Sequence, residues 1–390
     1  MKPVIRSLTL KGFRSFALEQ VQFDNPTFLV GQNGSGKTNL IDALAFLQEA
    51  MRYPLAEAIR KRGGIFSLVH RSGDGEKQKQ RFALKVDFGV NAHYSVEIEA
   101  GAHHSFEVIK EQCTITSEKG QFWFDRAHQA FSSNIAGLNP LLDPRGLTLP
   151  LLGGSEQFRS IYKPLYHMTV FKGRINLMRQ PQGIAGGGHL AADWSNAGSM
   201  LLYLQEKSPE SLERISEILS AVTPVPTCVR PRVYGDMVSL EFEQQHTDGR
   251  RSCFEAAEMS DGTLQVLGLL LAVFQPSPPT LLVFEGPELN VFPGVIGVVS
   301  DLLLGASDEN QILATIYSPE FLDMKWITDR HIRIVFWEDK ASRVSEVGKA
   351  SRETLREGLM GAGELLRSNL LDAPPVHRTE PDARLFEVLS

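Results

Sequence analysis

The stretch Gly31-Gln-Asn-Gly-Ser-Gly-Lys37-Thr38 decides the fold. It matches the pattern G-x-x-x-x-G-K-[ST] in full, and it lies between a short apolar run, Thr27 to Val30, and a helix-like stretch from Asn39 to Met51. Glycines let successive backbone N–H groups turn toward a phosphate, and the positive end of the following helix points at it. The order strand, glycine loop, helix therefore predicts a phosphate-binding loop rather than an incidental glycine-rich turn.

Two side chains of this loop have a definite chemistry in such a motif. Lys37 reaches the β- and γ-phosphates of a nucleotide, and the hydroxyl of Thr38 binds Mg²⁺. The predicted cofactors are therefore ATP and Mg²⁺. The predicted nucleotide-binding residues of the loop are Asn33, Gly34, Ser35, Gly36, Lys37, Thr38 and Asn39.

The composition is that of an ordinary globular protein. The 390 residues are 42% hydrophobic and 22% charged, and the formal net charge of −6 argues against a surface wholly built to neutralise nucleic acid, although it leaves a local basic groove open. Three cysteines are too few for a disulfide framework and too widely spaced for a zinc pattern. No apolar run approaches the roughly 20 residues of a spanning helix, and the charged N-terminal strand is unlike a signal peptide. We therefore expect a cytoplasmic protein without a membrane partner.

The rest of the chain alternates between strand-like and helix-like patterns. Meander strands are expected from Arg81 to Ile115, and much glycine and proline predicts an irregular insertion from Gly120 to Gly188. Two helices are expected next, at Asn196 to Glu206 and Ser208 to Ala221, followed by alternating strands and helices that predict a largely parallel sheet. We expect one nucleotide-binding domain in two halves, residues 1–118 with the phosphate loop and meander and residues 226–372. Residues 119–225 are expected to form the irregular and helical insertion between these halves, and residues 373–390 a flexible tail.

The phosphate loop and its surroundings resemble the opening of RecF, SMC and OLD-type ATPases. The resemblance runs through Lys11-Gly-Phe-Arg-Ser-Phe16 and through the whole stretch from Gly31 to Leu44. It implies an α/β fold, a P-loop NTPase of the ABC/SMC-head type with a mixed sheet, a meander β subdomain and a helical or irregular insertion. It also implies that Arg14 lies near the nucleotide, although a surface charge at a strand end is equally open for this arginine.

A second motif, Met259-Ser-Asp-Gly-Thr263, precedes an apolar helix pattern and resembles the ABC signature of small SMC-like ATPases. A hydroxyl residue and a glycine at a helix N-terminus make an anion site. The resemblance implies that Ser260, Asp261 and Gly262 bind the γ-phosphate of a nucleotide held by a second subunit. One chain would then be half of a site, in a head-to-head dimer or higher oligomer. Taken alone, the same residues are an ordinary helix cap.

A third motif, Thr280-Leu-Leu-Val-Phe-Glu285, resembles the apolar strand that delivers carboxylates to Mg²⁺ and water. Glu285 matches the metal-side acid, so the resemblance implies that Thr38 and Glu285 hold the metal. Gly286 stands where the family has the glutamate that polarises the attacking water, and glycine has no side chain to accept a proton. Tyr317 replaces the histidine of the family's switch strand.

These departures predict that ATP binds while turnover is slow or absent. Asn290 and Phe292 also differ from the family pattern. The alternative is that Glu288 takes over as the base, which would make Glu285 and Glu288 the catalytic residues.

The choice within the family rests on what lies between and after these motifs. No heptads are sustained between Thr38 and Ser260, which argues against a long-armed SMC protein. The residues after Phe336 are too few for the Toprim nuclease domain of OLD proteins. What remains resembles compact ATPases that act beside a separate effector, often a nuclease, in anti-phage systems such as Septu.

Two functions therefore remain open. The first is an ATP-dependent scaffold or sensor that regulates a partner effector with little catalysis. The second is a working, DNA-stimulated ATPase in repair, of the RecF kind. DNA is a further candidate partner, because the basic residues between Arg60 and Arg81 could line a groove, although a solvated face is equally compatible with them.

Overall fold

The structure, a computed structural model, describes residues 5–71, 80–89, 91–186 and 188–373. Numbered along the chain, its strands are β1 Ser7–Phe13, β2 Phe16–Gln22, β3 Thr27–Val30, β4 Arg81–Asp87, β5 Ala92–Ala100, β6 Phe106–Ser117, β7 Gly120–Ala127, β8 Ala130–Ser133, β9 Thr169–Phe171, β10 Gln182–Gly183, β11 Thr227–Tyr234, β12 Met237–Gln245, β13 Arg251–Glu255, β14 Leu281–Glu285, β15 Gln311–Thr315, β16 Ile332–Glu338 and β17 Ala341–Ser345. Its α-helices are α1 Lys37–Arg52, α2 Leu55–Arg60, α3 Leu149–Leu152, α4 Arg159–His167, α5 Ile175–Met178, α6 Ala197–Lys207, α7 Pro209–Val222, α8 Asp261–Phe274, α9 Ile296–Ser307, α10 Pro319–Leu322, α11 Lys349–Arg356 and α12 Ala362–Arg367.

The described chain folds as two compact units, each with its own sheets. Unit 1 comprises residues 5–168, 329–357 and 371–373, and unit 2 comprises residues 169–328 and 358–370. The sequence-based domain boundaries stay a prediction. The basic residues Lys77 and Lys79 and the tail beyond Ala373 lie outside the described residues.

Unit 1 contains the predicted meander, an antiparallel sheet in the order β2-β1-β4-β5-β6-β7-β8. The last two strands come from residues 120–133, so the prediction of an irregular chain was wrong there. The physical reason is Arg126, which is fully buried on β7 and donates hydrogen bonds to the carbonyl groups of His128, Asp143 and Gly146. A buried charge satisfied by backbone carbonyls interrupts the apolar alternation by which a strand is detected.

Three further strands of unit 1 place the phosphate loop. β3 pairs in parallel with β16, which pairs in antiparallel with β17. All four residues of β3 are buried, and α1 begins seven residues beyond it, two residues earlier than the helix-like pattern indicates. The strand, loop and helix order predicted around Gly31 is thereby confirmed.

Unit 2 contains the predicted parallel strands and the two predicted helices α6 and α7. β14 is the central strand and pairs in parallel with β9 and with β15. β10, β11 and β13 pair in antiparallel with β12. The apolar helix pattern that follows the signature stretch forms α8, which buries nine of its residues in the core of this unit.

Candidate functional site

At two positions of the phosphate loop, the neighbouring strands leave no room for a side chain. Gly31 has φ 150° and Gly36 has φ 113°, in the region of backbone conformation that favours glycine. A Cβ atom at Gly31 would collide with the carbonyl oxygen of Val335 on β16, and one at Gly36 would collide with the hydroxyl of Ser342 on β17. The loop can therefore run this close to its neighbouring strands only as glycine.

The polar groups of the loop fit a phosphate. The buried ammonium group of Lys37 donates hydrogen bonds to the carbonyl oxygens of Gly31 (2.7 Å) and Gln32 (2.9 Å). Desolvation lowers the pKa of Lys37, so an anion in the loop would favour its charged form. The buried hydroxyl of Ser35 has no hydrogen-bond partner within the described residues. The first turn of α1 adds N–H groups that no carbonyl of the helix can accept, and Thr38 stands in that turn.

Arg14 is tied to the helix that begins at the loop. It occupies the turn between β1 and β2 with φ 50°, and its guanidinium forms an ion pair with Asp42 on α1 at 2.7 Å. Arg62 also contacts this carboxylate, at 3.0 Å. The arginine is thus held beside the phosphate loop by a shared carboxylate, rather than projecting freely from a strand end.

A cavity of about 400 Å³ opens in unit 1 next to this arginine. Its walls combine polar and aromatic side chains, among them Arg14, Asn39, Phe66, His70, Arg71 and Trp337. Concave sites of this size with a few polar groups bind small molecules. The aromatic and histidine side chains were missed by sequence reasoning, because they come from two segments far apart in the chain and carry no common motif.

In unit 2 the signature stretch forms the N-terminus of α8. The hydroxyl of Ser260 accepts a hydrogen bond from the backbone N–H of Thr263 at 3.2 Å, which confirms the helix-cap reading. Ser260 and Asp261 are exposed, so the open end of the helix faces the surface of this unit. A Cβ atom at Gly262 would lie 2.8 Å from the carbonyl oxygen of Asn290, which restricts this position to glycine. A cap and an exposed anion site are compatible in this geometry.

Arg179, just after α5, holds the signature stretch in place. Its guanidinium donates to the carbonyl oxygens of Ala256 (3.1 Å), Ala257 (3.0 Å) and Met259 (2.8 Å) and pairs with Asp261 at 2.5 Å. Sequence reasoning missed this residue, since no local pattern links it to a motif about 80 positions away.

Neighbouring side chains crowd the position after β14 at which the resembled family has its water-polarising glutamate. Gly286 has φ 60°, and a Cβ atom there would collide with the side chain of Leu289 and lie 3.4 Å from the ring of Tyr317. The two departures found in the sequence are therefore neighbours in the structure. Leu289 is the side chain that a Cβ atom at position 286 would meet first.

Glu288 is engaged with the backbone beyond β15. It is 3% exposed, and its Oε1 atom accepts hydrogen bonds from the N–H groups of Tyr317 (2.5 Å) and Ser318 (3.0 Å). Its Oε2 atom is buried without a partner among the residues that the structure describes. Burial raises the pKa of Glu288, and the two backbone N–H groups oppose that rise.

Glu285, the predicted metal-side acid, forms an ion pair with Lys172 at 3.3 Å. A cationic group therefore already lies beside the carboxylate at which Mg²⁺ was expected. This lysine follows β9, more than 100 positions before Glu285, and was not anticipated from the sequence.

Comparison with known proteins finds similarity over parts of this chain. Residues 1–141 match the AAA ATPase domain family. The DNA replication and repair protein RecF of Synechococcus sp. is 33% identical over 105 residues, 27% of this chain and 25% of that protein. RecF of Myxococcus xanthus is 37% identical over 103 residues, 26% of this chain and 24% of that protein. The chromosome partition protein Smc of Mycobacterium tuberculosis is 53% identical over 45 residues, 11% of this chain and 4% of that protein.

Parts of the chain are thus similar to the AAA ATPase domain family, to RecF and to Smc. The matched region spans about a quarter of the length of the RecF relatives. Solved structures share the fold of this chain. An Smc head bound to the C-terminal winged-helix domain of ScpA superposes with a TM-score of 0.54 at 16% identity, over 90% of this chain and 99% of that one. An Smc head with an extended coiled coil from Pyrococcus furiosus gives 0.54 at 15% identity, over 91% and 99%.

The predicted site residues fall into two groups, one in each unit. The phosphate-loop residues and Arg14 come together in unit 1, and the residues from Ser260 to Gly262, Glu285 and Glu288 lie in unit 2. ATPases of the AAA and SMC types use a nucleotide and usually Mg²⁺. The individual ligand and catalytic assignments stay predictions. No helix in the described residues is both long and apolar enough to cross a membrane.

Proposed function

We propose that this chain binds ATP at its phosphate loop and joins a second copy head to head around the nucleotide, with weak or absent hydrolysis. The resulting dimer serves as a scaffold or sensor that regulates a partner effector, a nuclease, in anti-phage defence. The observation that carries the proposal is a contrast between two positions. The loop at Gly31 keeps a phosphate cradle, whereas the space next to Gly286 is filled by Leu289.

The geometry of the signature stretch supports association through the nucleotide. An exposed helix N-terminus, fixed by Arg179 and capped by Ser260, presents N–H groups outward from unit 2. A phosphate held by another molecule is the kind of ligand that such a terminus attracts. Phe292, near Gly262 in this unit, is 74% exposed, and aromatic side chains of this kind are enriched at protein interfaces.

The effector role is supported by resemblance rather than by geometry. The chain is similar to compact ATPases that act beside a separate nuclease in systems such as Septu. One of the similar solved structures is a head bound to a winged-helix domain of ScpA, which is a case of an SMC head that binds a partner protein. DNA repair of the RecF kind is the alternative, and the matches to RecF proteins favour it.

The test combines ATP binding, mass and turnover on the purified protein. We expect the wild-type chain to bind ATP in calorimetry and to double its mass in light scattering when ATP is added. We expect phosphate release at least about 10²-fold slower than that of an intact relative, since losing a general base commonly costs this much. Lys37→Ala should weaken ATP binding at least about tenfold and abolish the mass change, because the loop loses its only lysine contact to the phosphates.

The control is Lys349→Ala, which removes an exposed lysine of α11 and should leave all three measurements unchanged. Brisk turnover that DNA stimulates and Lys37→Ala abolishes would replace the scaffold with the repair ATPase. Co-purification with the product of the adjacent gene then tests the effector: recovery of a nuclease supports it, and recovery of recombination proteins contradicts it.

A further inference from the structure

Ser15 and Asn39 connect the phosphate loop to the cavity of about 400 Å³ in unit 1. The side-chain amide of Asn39, in the first turn of α1, donates to the hydroxyl of Ser15 at 2.8 Å. The hydroxyl of Ser342 donates to the same oxygen at 2.7 Å. A Cβ atom at Gly36 would lie 3.0 Å from that oxygen. The cavity therefore begins directly beside the loop and within the same unit.

Arg14, which lines the cavity, keeps one of its donors without an acceptor. Its Nη2 atom is paired with Asp42 at 2.7 Å, whereas its buried Nε–H group has no partner among the residues that the structure describes. A buried donor without a partner costs free energy, so a ligand oxygen beside it would be stabilising. This wall of the cavity therefore suits an oxygen-rich ligand, such as the ribose and phosphates of a nucleotide.

His70, another residue of the cavity wall, has its tautomer set by the backbone. Its backbone N–H donates to the carbonyl of Gly12 at 2.8 Å, and its Nδ1 atom lies 2.8 Å from the carbonyl oxygen of Arg14. A carbonyl oxygen only accepts, so Nδ1 carries the proton, and Nε2 of the neutral ring is then an acceptor. A fixed acceptor distinguishes the purine bases, because adenine has an amino donor at its 6 position where guanine has a carbonyl acceptor.

Trp337 adds an aromatic face to the same cavity. It lies on β16 and is 56% exposed, so much of its ring is open to a ligand. Every base has a π-face, and stacking on an aromatic side chain therefore raises affinity without selecting one base. The hydrogen-bond acceptor of His70 and the ring of Trp337 thus offer two contributions, one selective and one not, which can be measured separately.

We propose that this cavity holds the base of the bound nucleotide, stacked on Trp337, and that Nε2 of His70 selects adenine by accepting a hydrogen bond from its 6-amino group. This inference rests on the proposed function, because it concerns the nucleotide whose phosphates lie in the loop. It makes His70 the residue that determines base specificity. Guanine and hypoxanthine have an oxygen at the 6 position, and this oxygen would face Nε2 as acceptor to acceptor.

The experiment compares the dissociation constants of ATP and inosine triphosphate by calorimetry at about pH 8, where histidine is ordinarily neutral. Inosine triphosphate has the 6-oxo group of guanine without its 2-amino group, so it isolates the 6 position. We expect the wild-type chain to bind ATP at least about tenfold more tightly. His70→Asn keeps a donor near the position of Nδ1 but has no group at the position of Nε2. This variant should lose at least about tenfold for ATP and stay within about threefold for inosine triphosphate, so the preference disappears.

His128→Asn is the matched control, because this exposed histidine lies in the turn after β7, outside the cavity, and should keep the wild-type preference. Trp337→Ala should weaken both nucleotides by a similar factor of at least about fivefold, since stacking does not read the 6 position. ATP should also quench tryptophan fluorescence in the wild-type chain and in His70→Asn, and Trp337→Phe should remove most of this change.

Three outcomes would overturn the role of His70 while leaving ATP binding by the wild-type chain in place. They are equal wild-type affinities for the two nucleotides, a preference that survives in His70→Asn, and a parallel loss of both nucleotides in that variant. A fluorescence change that persists undiminished in Trp337→Phe would place the base outside the cavity and overturn the whole inference. Failure of the wild-type chain to bind either nucleotide overturns the proposed function and this inference with it.

Discussion

The phosphate loop of unit 1 and the end of β14 in unit 2 share a backbone feature but differ in the space that is left beside it. Each leaves the carboxyl end of a buried parallel strand through a glycine with positive φ, at 150° for Gly31 and 60° for Gly286. At Gly31 the obstacle to a side chain is a backbone carbonyl, and the loop stays open to a phosphate. At Gly286 the obstacle is the side chain of Leu289, which occupies the space itself. This contrast supports our proposal that the chain binds ATP but hydrolyses it slowly or not at all.

Substitution at Gly31 should have the largest effect on this contrast. In Gly31→Ala the new methyl group meets the carbonyl oxygen of Val335, a backbone atom that cannot rotate away. We expect ATP affinity to fall at least about 10²-fold and the free energy of unfolding to fall by about 2–4 kcal/mol, as for strain at a special backbone conformation. Calorimetric titration with ATP and urea unfolding measure the two effects.

Gly34→Ala is the matched control, since Gly34 also has positive φ, 80°, but has open space around it. It should cost only about 1 kcal/mol of stability. Unchanged ATP affinity in Gly31→Ala would mean that the loop is not the nucleotide site. The proposal that the loop at Gly31 holds a phosphate would then be wrong.

Restoring a glutamate at position 286 should have a smaller effect and should not restore turnover. Gly286→Glu places a side chain at φ 60° against Leu289, so we expect a loss of about 1–3 kcal/mol of stability and no gain in phosphate release. Leu289→Ala alone should also release no more phosphate than wild type. The double variant, Gly286→Glu with Leu289→Ala, provides both the carboxylate and its space.

We expect this double variant to hydrolyse ATP at least about tenfold faster than wild type, which a phosphate-release assay detects. Turnover typical of an intact relative in Gly286→Glu alone would show that the side chain of Leu289 moves aside at little cost. The contact with Leu289 would then be too weak to account for the slow hydrolysis that we propose.

The features of the fold and the site that could be predicted from the sequence are those formed by residues close together in the chain. The phosphate loop and the signature stretch are continuous motifs at the ends of regular elements, so their residues alone predicted strand, loop and helix. Lys172 and Arg179 act on residues about 80 or more positions away, through strand register and carbonyl contacts that no pattern encodes. Leu289 is only three residues from Gly286, but its effect depends on a backbone angle. Arg126 led to a wrong prediction, because this buried charged residue interrupts the apolar alternation by which β7 would be detected.

Glu288 offers the smallest effect and separates the two explanations for the missing base. Glu288→Gln keeps an oxygen that can accept from the N–H groups of Tyr317 and Ser318, and it places an amide nitrogen where Oε2 has no partner among the described residues. We expect a change in stability within about 1 kcal/mol and an unchanged rate of phosphate release. If Glu288 were the general base, the same variant would lose a factor of about 10² to 10⁴ in rate.

The pH dependence of unfolding provides the decisive control on that result. Because burial raises the pKa of Glu288 above its ordinary value, the folded chain keeps this proton over a range of pH in which the unfolded chain has released it. The contribution of the group to stability therefore falls as pH rises from the unfolded pKa to the folded one, and it is constant above that range. Glutamine has no proton to release. In urea unfolding, Glu288→Gln should consequently gain stability relative to wild type as pH rises above the unfolded pKa. Glu288→Ala also has no proton to release and should gain in the same way, but it strands two buried N–H groups and should stay about 2–3 kcal/mol less stable than Glu288→Gln at each pH. A difference between Glu288→Gln and wild type that is independent of pH would place the carboxylate in contact with solvent, where it could serve as a base after all.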